Sequence, residues 1–242
     1  MKFYSLAGRN IKEVYRDPVS MLLGLVMPVA LLVLFSSIYK KSQLDMFSPF
    51  MLTPGIIIFS YAFLMMFSAV LLAKDKQIAF LTRLFATPLK SSDFILAYML
   101  PFIPIALFQT GICFIAGIIL GAVFTNIFTS LIIFLLIASV CVSLGLVMGS
   151  VLTVNQVSGV GALFITAISL FSGAWTPLKM IGGLFETIGY ALPFAHAVDA
   201  TRSLLAGSSF ADIMRNFYVI LIYAMIFCSL SILTFKWTMK RG

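Results

Sequence analysis

FILAYMLPFIPIALFQTGICFIAGIILGAVFTNIFTSLIIFLLIASVCVSLGLVMGSVLTVNQVSGVGALFITAISLFSGAWTPL, residues 94–178, contains no charged side chain and no histidine in 85 consecutive positions. No soluble domain of this size keeps such a stretch away from water, so the segment belongs in lipid. A helix needs about 20 apolar residues to cross a ~30 Å hydrocarbon core, because every backbone N–H and C=O must be satisfied within the helix. The tract therefore holds three spans, 94–120, 127–152 and 156–176, parted by weak breaks at 121–126 and 153–155. Working outward, apolar runs at 19–39 and 50–73 precede it and one at 216–235 follows, which makes six spans.

The rest of the chain agrees: 62% of residues are hydrophobic, only 10% are charged, and the mean hydropathy is +1.12. A transmembrane barrel would instead show ~10-residue alternating segments. The expected fold is an all-α integral membrane protein. The first apolar run is longer than the short core of a signal peptide and ends in SSIYKK, so it reads as a retained span.

A formal charge of +8 would suit nucleic acid, but its placement suits membrane orientation. With the amino terminus in the cytoplasm, inside segments hold eleven of the sixteen Lys and Arg residues, which places both termini inside. Lys40 and Lys41 run against this rule. Cys113, Cys141 and Cys228 all fall in spans with no C-x-x-C or Cys/His cluster, so neither disulfides nor a metal site is expected. No Asp, Glu, Lys, Arg or His lies in a span interior, which argues against an ion relay and an intramembrane enzyme alike. The absence of G-x-x-x-x-G-K-[ST] removes a P-loop, so no cofactor is expected on this chain.

The segments between spans carry the remaining information. In residues 1–17, Tyr4, Ala7, Ile11, Val14 and Tyr15 recur at helical spacing opposite Lys2, Arg9, Lys12, Glu13 and Arg16, the pattern of an amphipathic interfacial helix. Asp17-Pro18 stops it and starts the first span. The loop KDKQIAFLTRLFATPLKSSD, 74–93, places Ile78, Leu81, Leu84 and Phe85 on one face before Thr87-Pro88 breaks the helix. It suits a mechanical handle for a partner and a passive connector equally well. In 177–215, the apolar run 178–192 is too short to cross and fits a re-entrant or interfacial helix. Beyond it His196, Asp199 and Arg202 are spaced to tie a helix in place, with Asp199 able to pair with Arg202. Small-residue pairs such as Gly145 and Gly149 permit close helix packing.

Three stretches together resemble the membrane subunits of type-2 ABC transporters. RNIKEVYRDPVSMLLGLVMPVALLVLF (9–35) is similar to that family's interfacial helix leading through a charged-Pro step into a Pro-containing first span. RLFATPLKSSDF (83–94) resembles its coupling helix, and 171–207 its outer hairpin. The family often has acidic residues and a Gly-Thr step before the coupling helix, whereas this chain has only Asp75 there.

The resemblance implies a dimer of such subunits, identical or different, each bound to a cytoplasmic ABC ATPase that holds ATP and Mg. By position it makes Arg83, Leu84, Thr87, Pro88 and Leu89 the coupling element, with Arg9, Arg16 and Asp17 on the nearby interfacial helix. It places Phe59, Phe63, Phe67, Phe164, Ile168 and Phe171 along the substrate path. Such an uncharged aromatic wall suits an amphipathic drug, a lipid or a hydrophobic peptide, although the same fold exports polysaccharides. The implied function is ATP-driven export as a multidrug-type permease in the bacterial cytoplasmic membrane, with no role for nucleic acid. The other reading is a stand-alone channel or carrier.

Overall fold

The computed structural model describes residues 2–77 and 91–241, and every regular element among them is a helix. In chain order these are α1 (Lys2–Tyr15), α2 (Pro18–Ser42), α3 (Pro49–Gln77), α4 (Ser91–Met99), α5 (Phe102–Ile119), α6 (Ile127–Val151), α7 (Val154–Phe171), α8 (Leu178–Ile181), α9 (Gly183–Tyr190), α10 (Pro193–Leu205) and α11 (Met214–Arg241). Among the described residues six segments are long and apolar enough to cross a membrane: Gly24–Ser42, Pro49–Gln77, Ser91–Ile119, Ile127–Val151, Val154–Phe171 and Phe210–Thr238. The protein is a multi-pass membrane protein.

The packing has a centre and a rim. Of the most apolar window, 78% is buried in α3 and 67% in α6, against 22% in α2, 17% in α7 and 11% in α11. Glycine explains why α3 and α6 come so close. A Cβ at Gly145 would lie 2.0 Å from the Met65 carbonyl oxygen, and one at Gly149 would lie 2.5 Å from that of Ala69. Ser68 bridges the same contact, its Oγ donating to the Val142 carbonyl at 3.2 Å. Lipid supplies no hydrophobic force between helices, so close backbone approach and interhelical hydrogen bonds carry this association.

The segment expected to cross as one helix over 94–120 is two helices, α4 and α5, joined at Leu100-Pro101. Pro101 has no N–H, so it cannot bond the carbonyl of Ala97 four residues earlier. Asn10 of α1 fills the gap, its Nδ2 donating to that oxygen at 3.1 Å. Pro28, inside α2, frees the carbonyl of Gly24 in the same way, and Gln109 Nε2 of α5 donates to it at 2.9 Å. Hydropathy registers neither device, because a kinked helix and a straight one are equally apolar.

Beyond Phe171 the helix expected to run to 176 stops. Gly173 takes a left-handed conformation (φ +71°), and the turn presses against α3, where a Cβ at Gly55 would lie 2.4 Å from the Ala174 oxygen. The apolar run 178–192 forms two short helices, α8 and α9, whose Met180, Leu184 and Phe185 are exposed. The following helix, α10, is mostly buried and packs on α6, α11 and α3. The expected Asp199–Arg202 pair is replaced by separate partners: Arg202 donates from Nε to Met51 O (3.0 Å) and from Nη2 to Ala174 O (3.1 Å), while Asp199 accepts from the Tyr190 hydroxyl. His196 bridges the Tyr190 carbonyl and the Asn216 side chain. Burial pulls the Arg202 guanidinium down to about 10 despite the nearby Asp199. Burial and then the Asp199 bond push the Tyr190 phenol up.

Candidate functional site

At the basic end of the bundle α1, α3, α4 and α6 meet through a buried polar cluster. Asp75 is 2% exposed near the end of α3 and is the hub. It accepts from Arg9 Nη2 at 2.6 Å, from Arg9 Nη1, and from the Tyr98 hydroxyl. Arg9 Nη1 also donates to Asn10 Oδ1 at 3.1 Å, which links the ion pair to the amide that satisfies Ala97. The Asp75 bond raises the Arg9 guanidinium above its ordinary value against the opposing effect of burial, so it stays charged at every physiological pH. One residue on, Lys76 Nζ donates to Ser150 O (3.0 Å) and Leu152 O (2.9 Å), two carbonyls at the C-terminal end of α6 that no helical N–H reaches. Thr238 of α11 also donates to Ser150 O, at 3.3 Å, so α3 and the last described helix meet on the same carbonyl of α6.

This cluster lies directly before residues 78–90. The coupling positions Arg83, Leu84, Thr87, Pro88 and Leu89 fall outside the described residues. Of the interfacial-helix residues, Arg9 joins the cluster, while Arg16 and Asp17 line a cavity between α1, α3 and α5. The inward edge of α1 is Leu6, Ala7 and Asn10, whereas Tyr4 and Tyr15 are exposed.

The path candidates divide into two groups. Phe59, Phe63 and Phe67 form a ladder along α3, with ring centroids 5.6 Å and then 6.5 Å apart. The ladder continues from Phe59 to Trp175 (5.4 Å), to Phe35 (5.2 Å) and to Phe47 (5.6 Å). Trp175 is oriented by a hydrogen bond from Nε1 to Ser169 Oγ at 2.8 Å. On α7, Ile168 is buried, Phe164 is exposed, and Phe171 stacks on Phe185 of α9 at 5.4 Å. Sequence reasoning missed Trp175, Phe35 and Phe47; the aromatic pattern of residues 35, 47 and 175 was legible, but their adjacency was not.

A sequence model for the family described as ABC-2 type transporter matches residues 1–206, from α1 to the end of α10. The chain belongs to the ABC-2 type transporter family. Among its relatives, a protein named "Putative transport permease ycf38" from Pyropia yezoensis is 27% identical over 212 residues, covering 83% of this chain and 72% of that one. A protein of the same name from Cyanophora paradoxa is 25% identical over 219 residues, covering 86% and 75%. The six spanning helices and the family together make this ABC-2 protein the membrane subunit of a transporter. Among its described residues no group of three or more His, Cys, Asp or Glu is placed to hold a metal ion.

Proposed function

We propose that the protein is the permease subunit of an exporter driven by a separate cytoplasmic ABC ATPase, which binds ATP and Mg. A second permease subunit, identical or related, completes the path. The basic end faces the cytoplasm of a cell membrane, and the cargo is an amphipathic or hydrophobic molecule such as a drug, an antimicrobial peptide or a lipid.

The observation that carries this reading is the Arg9–Asp75–Tyr98 cluster. Its hub sits three residues before the loop 78–90, and its bonds reach α1 and α4, while Lys76 beside it holds α6. A push on that loop is thereby passed to four helices through short, charge-assisted bonds rather than through a flexible link. The Phe67–Phe63–Phe59–Trp175–Phe35–Phe47 ladder offers an uncharged wall from the basic side of α3 to the opposite end. The exposed apolar faces of α8 and α9 suit a hairpin that dips into the outer leaflet, beside the proposed exit.

The test is co-purification with a candidate ATPase. Pro88→Asp combined with Leu89→Asp is expected to abolish both complex formation and stimulated ATP hydrolysis. Retention of both activities removes the coupling assignment.

A further inference from the structure

Asn10 and Gln109 both satisfy carbonyls released by proline, but they differ in their other atom. Asn10 Oδ1 receives Arg9, whereas Gln109 Oε1 is buried and meets no donor among the described residues, in a side chain only 2% exposed. A buried acceptor left in this condition costs about 1–3 kcal/mol. Gln109 cannot turn its amide round to relieve it, since Nε2 is committed to Gly24.

Gln109 lines a cavity of about 310 Å³ between α1, α3 and α5, within the size range of small-molecule sites. Its mouth carries Glu13, Arg16, Asp17 and Lys74, two acids and two bases. Its walls are apolar, formed by Met66, Phe67, Val70 and Ile105. Lys74 and Phe67 are seven residues apart on one helix, hence ~10 Å apart along its axis. The Phe67 ring and Gln109 Nε2 both crowd Gly24, at 3.2 Å and 3.0 Å from a Cβ placed there. The orphaned acceptor therefore lies at the depth of Phe67, one ~10 Å step inward from the charges. A single water would satisfy Gln109 but would leave most of an apolar chamber of this size unfilled.

We infer that this cavity is a binding site for an amphipathic molecule with a neutral or zwitterionic head, which sits among the four rim charges, and an O–H or N–H donor within its apolar body, which Gln109 Oε1 accepts. The balanced rim selects against a net charge, and the buried acceptor selects against a plain hydrocarbon. The site is a property of this chain alone and stands whether or not the molecule bound there is transported. Both a resident lipid and a cargo have this chemistry.

The probe is a decylphosphocholine bearing a hydroxyl at its eighth carbon, level with Gln109, and a terminal diazirine, compared with its methoxy analogue at the same carbon. Each is added to the full chain in phosphatidylcholine nanodiscs without nucleotide or partner. The hydroxyl probe is expected to photolabel peptides containing Met66, Phe67 or Ile105 about five-fold or more above the methoxy analogue, the factor that one hydrogen bond supplies. Gln109→Leu should remove that preference. Ile105→Trp, which fills the cavity while leaving the Gln109 bond in place, should abolish labelling by both. Equal labelling of the wild-type chain by the two probes, or labelling confined to other peptides, overturns the inference. That comparison needs no variant to fold, and it is independent of the ATPase reading. Once labelling is established, loss of bound probe on ATP turnover with the partner identifies a cargo, and retention identifies a resident lipid.

Discussion

Asn10 shows how one amide can tie a membrane fold together at a proline break. Its amide meets Ala97 O because Pro101 cannot. Asn10→Leu leaves that buried carbonyl without a donor and should lower stability by about 1–3 kcal/mol. Adding Pro101→Ala supplies the missing N–H, and the double variant should regain most of the loss. Thermal unfolding of the purified chain in detergent reads both outcomes. If the double variant is no more stable than Asn10→Leu, the pairing has been misread. Asn10 carried no signal in the sequence: it lies within an amphipathic stretch whose apolar residues pointed elsewhere, and its partner is 87 residues away. Asp75 was visible as the one acid of the stretch KDKQIAFLTR, but its role depends on three helices meeting, which no local pattern encodes.

At the level of elements, the contact of α3 with α6 rests on glycines that have no room for a side chain. Gly145→Ala places a methyl 2.0 Å from the Met65 oxygen, an overlap that only a shift of the helix axis relieves. A loss of about 1–3 kcal/mol is expected, the usual cost of overpacking. Gly159, on α7, has nothing within 4 Å of its Cβ position, so Gly159→Ala should stay within about 0.5 kcal/mol of the parent. Chemical denaturation of the two variants side by side checks the contrast. Both are glycines within apolar spans, and only three-dimensional neighbours separate the tight one from the open one. The spans themselves were legible because apolar length alone specifies them. The Leu100-Pro101 break was not, since proline is tolerated inside membrane helices when a neighbour satisfies the freed carbonyl.

For the whole molecule, six helices without an internal ion relay predict no transport unless work is supplied from outside. Liposomes containing this chain alone should show no flux of an amphipathic cargo, and flux should appear with the partner ATPase and ATP. Flux from the chain alone would instead favour a free-standing channel or carrier. The proline-freed carbonyls also set an order of assembly. Residue 97 is synthesised 87 residues after Asn10, which at about 5–20 residues per second is a delay of about 4–17 seconds. During that interval the α4 side of the first helix's docking place is missing, and water or lipid headgroups must solvate the Asn10 amide. Ribosome-bound chains stopped short of residue 97 would therefore leave α1 open to protease, and slightly longer chains, once released into the bilayer, would close it off.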